Sequence, residues 1–168
     1  IGELQTVVCG LPSGTPDFGK KAHLIDPVPV PDGFNYDLWL GPAPNAPYSP
    51  CRTHVNFRWI LDYSGGQVTD WGGHHPDIAQ WGMGTQYSGP VRVQNPRSKW
   101  STHPVYNTAT EFYFENVYEN GVKLIVQSGK DFGVTFNGTE GKVWSSRGKH
   151  TVEPTSLENE VIGPDEIH

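Results

Sequence analysis

The apolar residues of this chain follow two rhythms, and the change falls near residue 90. From there to about residue 152 they alternate with polar residues at the period of two that a pleated strand requires. Thr108–Tyr118 and Val122–Ser128 are two such runs, and Glu119-Asn120-Gly121 between them contains Asn-Gly, a strong hairpin-turn signal. Phe132–Phe136 and Gly141–Ser146 form a second pair around Asn137-Gly138-Thr139, which is also a formal glycosylation sequon but reads more simply as a turn. Val91–Gln94 is a short strand, and Lys149–Val152 adds an edge. From Pro154 onward Glu, Asn and Pro dominate, which predicts an extended, loosely held tail.

Before residue 90 the pattern is interrupted. Glu3–Gly10 alternates weakly around Val7-Val8 and reads as a strand, and the recurring Pro and Gly of Leu11–Val30 predict a loop. Asp32–Leu40 has helix character, with Asp32 as cap and Gly41-Pro42 as the stop. Four prolines between Pro42 and Pro50 exclude a regular element there. His54–Trp59 alternates cleanly, so an extended reading puts His54, Asn56 and Arg58 on one face and Val55, Phe57 and Trp59 on the other. Ser64-Gly65-Gly66 is a turn. His75–Met83 then reads as a short helix with Pro76 in its first turn and Ile78, Trp81 and Gly82 toward the core.

Composition sharpens this picture. The 168 residues suffice for one domain with a core, and 20 Gly, 15 Pro and a rich aromatic set favour a loop-rich, strand-heavy fold over a helical bundle. A net charge of -6 with scattered Lys and Arg leaves no basic stripe for nucleic acid or an anionic membrane. No apolar run approaches the ~18–20 residues that span a bilayer, and no signal peptide opens the chain. The compartment stays open between cytoplasmic and exported. Cys9 and Cys51 lack a Cys-x-x-Cys spacing, and unpaired, partly buried thiols suit them better than a disulfide.

The densest chemistry lies in Gly65–Asp77, where Asp70, His74, His75 and Asp77 fall among four glycines and Trp71. Asp70 and His74 are four apart; a helical path between them places both on one face, where the carboxylate orients the imidazole and stabilises its protonated form. Imidazole titrates near neutrality, so such a pair takes a proton from a substrate hydroxyl. The plainer alternative is an Asp that caps the next turn beside an exposed His. A metal site built from Asp70, His74, His75, Asp77 and His54 is the weaker idea, because adjacent histidines diverge and the i, i+4 histidine pair of a zincin helix is missing. His54, Asn56 and Arg58 suit hydroxyl or carboxylate contacts, with an ordinary solvent face as the alternative. Phosphate-binding loops, dinucleotide fingerprints and Gly-x-Ser-x-Gly elbows are all absent from the sequence.

Gly65-Gly66-x-x-x-Asp70-x-Gly72-x-His74-x-x-Asp77 resembles the signature of the Gfo/Idh/MocA oxidoreductases. Ile1-Gly2-Glu3-Leu4 is similar to the start of that family's C-terminal domain. Tyr36 to Pro44, Phe57-Arg58-Trp59 and Gly138-Thr139-Glu140-Gly141 are similar to segments of one bacterial branch. The resemblance implies an α+β fold, an open and mostly antiparallel sheet with helices on one face. It implies His74 as general acid/base, Asp70 as its electrostatic partner, and Asp77 as a contact to the substrate or to the residues around it; beside these, His75 and the polar face of His54, Asn56 and Arg58 are read as substrate contacts. It further implies NAD or NADP held by a separate Rossmann domain with a Glu-Lys-Pro lysine, a sugar or polyol substrate, and a homo-oligomer formed through the sheet face. This sequence contains neither a Rossmann fingerprint nor Glu-Lys-Pro. The expectation is therefore an excised C-terminal domain, inactive alone, with NAD-dependent glycoside cleavage or a purely structural module as alternatives.

Overall fold

The computed structural model describes residues 1–161, 163 and 164. Its centre is a seven-stranded open sheet in the order β2-β3-β4-β1-β5-β6-β7. The strands are β1 (Leu4–Leu11), β2 (Arg92–Trp100), β3 (Ala109–Val117), β4 (Lys123–Ser128), β5 (Gly133–Gly138), β6 (Lys142–Ser146) and β7 (Lys149–Glu153). β1 runs parallel to β4, and the other neighbouring pairs are antiparallel. The predicted α+β architecture holds, as do both hairpins and the edge strand at Lys149.

Register explains where the core sits. Val7 lies opposite Leu124 and Phe136, and Cys9 opposite Val126 and Val134. These residues and Leu11 share one face, where they are buried with Ala79, Phe112 and Tyr118. Complete burial of each such aliphatic side chain stabilises by about 1.5–3 kcal/mol. Both cysteines are buried and unpaired, and burial pushes the Cys9 thiol up to about 12.

Helix α2 (His75–Gly82) covers that face, packing on β1, β5 and β4. Its inward stripe is His75, Ala79 and Gly82. A Cβ on Gly82 would collide with the Phe136 ring, so this glycine permits close helix–sheet approach. Ile78 and Trp81, expected in the core, are instead 40% and 68% exposed. The helix presents i, i+4, i+7 to the sheet from His75, which turns Ile78 and Trp81 outward.

Residues 12–74 form a long excursion between β1 and α2. Its helix α1 spans only Tyr36–Leu40, and Asn35 rather than Asp32 caps it, accepting from Leu38 N at 2.9 Å. Gly33 at φ 79° turns the chain just before the cap, so the helix cannot begin at Asp32. A larger correction falls on His54–Trp59, which is a 3-10 helix and not a strand. At three residues per turn, Asn56 and Trp59 stack on one side and are both buried. Asn56 exchanges hydrogen bonds with the Phe18 backbone, and the Trp59 indole N–H donates to Pro16 O at 2.9 Å. Trp59 O accepts from Asn107 N, which ties the excursion to the start of β3.

β2 is longer than the predicted Val91–Gln94. It continues through Pro96 because it is an edge strand with two register shifts, where a missing N–H is tolerated. In the predicted loose tail, Thr155–Asn159 forms a 3-10 turn, and residues 162 and 165–168 lie outside the described set.

Candidate functional site

The Gly65–Asp77 segment is a chain of tight turns. Gly66 has φ 65°, a conformation that favours glycine, and a Cβ there would approach Thr108 Cβ to 2.7 Å. Close approach of this turn to the first residues of β3 fixes the start of the signature. Gly66–Val68 and Trp71–Gly73 are both 3-10 turns, with Asp70 before the second and His74 after it. The expected helical path from Asp70 to His74 is thus a single 3-10 turn.

Asp70 pairs with an arginine. Arg58 Nε donates to Asp70 Oδ1 at 3.0 Å, and Arg58 Nη1 donates to Val55 O at 3.0 Å. The guanidinium also lies over the Phe57 ring, 5.3 Å from its centroid. The pair is partly exposed, so it adds at most about 1 kcal/mol of stability; what it supplies is orientation. Among the described residues no hydrogen bond joins Asp70 to His74.

The two histidines diverge. His74 is exposed, its ring 5.3 Å from that of Trp71. His75 is only 2% exposed and packs between Trp71 and Phe132, at 5.4 and 4.7 Å. His75 Nδ1 lies 2.9 Å from Gly10 O. A carbonyl only accepts, so the proton sits on Nδ1 and Nε2 keeps its lone pair. Burial holds the His75 pKa below its ordinary value, Arg147 and His74 push the same way, and the bond to Gly10 opposes them. His75 is therefore a neutral bolt between α2 and β1.

The remaining sequence candidates scatter. Asn56 is buried and its amide is occupied by Phe18 and Asp17. His54, at φ 54°, lies 6.0 Å from the Phe34 ring in an aromatic cluster with Tyr36 and Tyr48. Asp77 is exposed in the first turn of α2. The structure thus pairs Arg58 with Asp70 and, one residue on, Trp71 with His74, while His54 and Asn56 have partners elsewhere in the excursion. No cluster of three or more potential metal ligands occurs among the described residues.

Sequence reasoning missed two neighbours of the signature. Phe132 closes on Trp71 edge-to-face at 4.7 Å, and the Arg147 guanidinium lies 4.9 Å from the Trp71 ring centroid. Both arrive through sheet pairing, at β5 and at the β6–β7 turn, and no local motif announces either. A hollow of about 230 Å3 lies between Arg147, Ser145, Ser146, His75 and Ile78. A further cavity of about 520 Å3 is lined by Trp39, Pro42, Phe57, Asp62 and Tyr63, and meets the Arg58–Asp70 pair through Phe57.

A search of curated proteins finds no match. The family model described as "Oxidoreductase family, C-terminal alpha/beta domain" matches residues 17–160, which include all but the first five residues of the excursion, α2 and the sheet from β2 to β7. With the signature, the open sheet and this match in agreement, the chain belongs to the Gfo/Idh/MocA oxidoreductase family, as its C-terminal domain.

Proposed function

We propose that this domain supplies the substrate-side proton chemistry of a sugar or polyol oxidoreductase, with His74 as general acid/base. The observation that carries the reading is the exposed His74 imidazole, held against Trp71 one short turn after an Asp70 carboxylate fixed by Arg58. In this reading His74 takes the proton of the reacting hydroxyl. Asp70, clamped by Arg58, stabilises the imidazolium as it forms. Asp77, in the first turn of α2, is assigned as a further substrate contact, while the buried Asn56 serves as framework.

The family's members are generally NAD(P)-dependent, and a nicotinamide cofactor supplies a hydride acceptor when bound. Among the described residues there is no glycine-rich strand–turn–helix to take a dinucleotide's phosphates, so the residues here do not fit that group. The step assigned to this chain is proton transfer alone, in partnership with a nucleotide-binding domain. The sheet face opposite α2 serves self-association.

The test is His74→Ala in the enzyme assembled with its nucleotide-binding domain. Turnover falls by roughly 10²–10⁴, the usual contribution of a general acid/base, while Tm stays constant because the ring is exposed. Near-normal turnover sinks the assignment.

A further inference from the structure

Arg147 sits where a substrate-reading cation would sit, and nothing in the signature calls for it. Its guanidinium rests on the Trp71 ring at 4.9 Å, and the same ring touches His74 at 5.3 Å. The other guanidinium at the signature, Arg58, is already engaged by Asp70. Among the described residues no carboxylate lies within ion-pair distance of Arg147. Stacking on an aromatic face leaves the planar N–H fork of an arginine free for a carboxylate.

The surroundings of Arg147 narrow the ligand further. The hollow beside it is lined by the hydroxyl residues Ser145 and Ser146 and by His75. His75 is almost fully buried, its Nδ1 is committed to Gly10, and no hydrogen bond engages Nε2 among the described residues. That nitrogen can only accept, so it calls for a hydroxyl donor and not a second anion. At about 230 Å3 the hollow is smaller than the roughly 300–1,000 Å3 that encloses a drug-sized ligand. It suits the end of a molecule whose remainder lies outside the hollow.

We infer that Arg147 is a specificity-determining residue and that the substrate is a sugar acid: its carboxylate pairs with Arg147 and a neighbouring hydroxyl donates to His75 Nε2. This rests on the reading of His74 as the reacting-side residue, and it adds the class of sugar. Carboxylate–guanidinium pairs are bidentate when geometry allows, which selects against neutral hexoses by about tenfold or more.

The experiment is a titration of the isotope-labelled chain, followed by NMR at the Trp71 indole, His74 and the Arg147 side chain. Probes are glucuronate, glucose, glucose 6-phosphate and NAD+. The expected result is that glucuronate moves all three signals and binds about tenfold or more tighter than glucose. Arg147→Gln abolishes that preference, and Arg147→Lys retains part of it. Arg147 is exposed on a turn, so an unchanged spectrum away from the site verifies that each variant is folded. Equal binding of glucose and glucuronate at His74 and Trp71 overturns the sugar-acid assignment and leaves the His74 reading standing. Larger Arg147 shifts with glucose 6-phosphate or NAD+ reassign the residue to phosphate and overturn it as well. No response at His74 or Trp71 to any sugar overturns both.

Discussion

A single turn separates two adjacent imidazoles: Trp71–Gly73 ends at His74, which stays at the surface, and α2 begins at His75, whose ring enters the core. Burial lowers the His75 pKa in the fold below the ordinary 6.5, so the unfolded chain binds this proton more readily. Stability is then complete above about pH 6.5 and declines as pH falls toward the lowered folded value. His75→Asn, which does not titrate, removes this part of the slope in a plot of Tm against pH; an unaltered slope contradicts the neutral-bolt assignment. Gly66 gives a second prediction. Its positive φ and its approach to Thr108 predict that Gly66→Ala destabilises by about 1–3 kcal/mol or more, measured by denaturant unfolding. At this scale the sequence marked both histidines as site residues, but spacing alone could not show that one ring stays at the surface and the other enters the core. His75's partners, Gly10 and Phe132, come from β1 and the start of β5, and spacing says nothing about them.

Among the elements, β2 depends most on side chains for its place. It is an edge strand with a proline and two register shifts, so its backbone ladder is incomplete. Glu115 on β3 compensates by accepting from Gln94 at 2.8 Å, Asn95 at 3.0 Å and the Tyr113 hydroxyl at 2.7 Å. These bonds, Gln94 first, hold the Glu115 carboxyl down to about 2 from its ordinary 4.5. A depressed carboxylate contributes stability that is present above pH 4.5 and lost as pH falls through about 2. Glu115→Ala is expected to speed amide hydrogen exchange across Arg92–Trp100 at neutral pH while leaving β4 protected; uniform exchange would show that the network does not hold the strand. The hairpins were legible because their turn chemistry is local. His54–Trp59 was misread because six alternating residues fit either geometry, and the decision came from Phe18 and Pro16, some forty residues away. Likewise, Val91–Gln94 read as a short strand, and its place at the sheet edge lets β2 run on past Pro96 to Trp100.

The molecule as a whole has one covered and one open sheet face. On the open side, register places Val8, Tyr113, Ile125 and Trp144 among Arg97, Glu115 and Gln127. Under the proposed self-association, Ile125→Lys puts a charge in the middle of that face and shifts the chain toward monomer in light scattering, with its circular dichroism unchanged. A wild-type chain that stays monodisperse and monomeric at high concentration contradicts it. The strands and the signature's location were legible because both rest on short-range patterns; the Arg147–Trp71 stacking was not, because the excursion and the β6–β7 turn meet only after the sheet assembles, and the Arg58–Asp70 clamp was not, because it depends on the 3-10 helix that alternation misread as a strand. The central claim, that His74 moves the substrate proton beside a fixed Asp70, is tested most directly by chemical rescue. In the assembled enzyme, imidazole added to the His74→Ala variant should restore turnover in proportion to its concentration, and should leave a His74→Ala/Asp70→Asn double variant largely unrescued. Absence of any rescue, or equal rescue of both variants, would contradict the account.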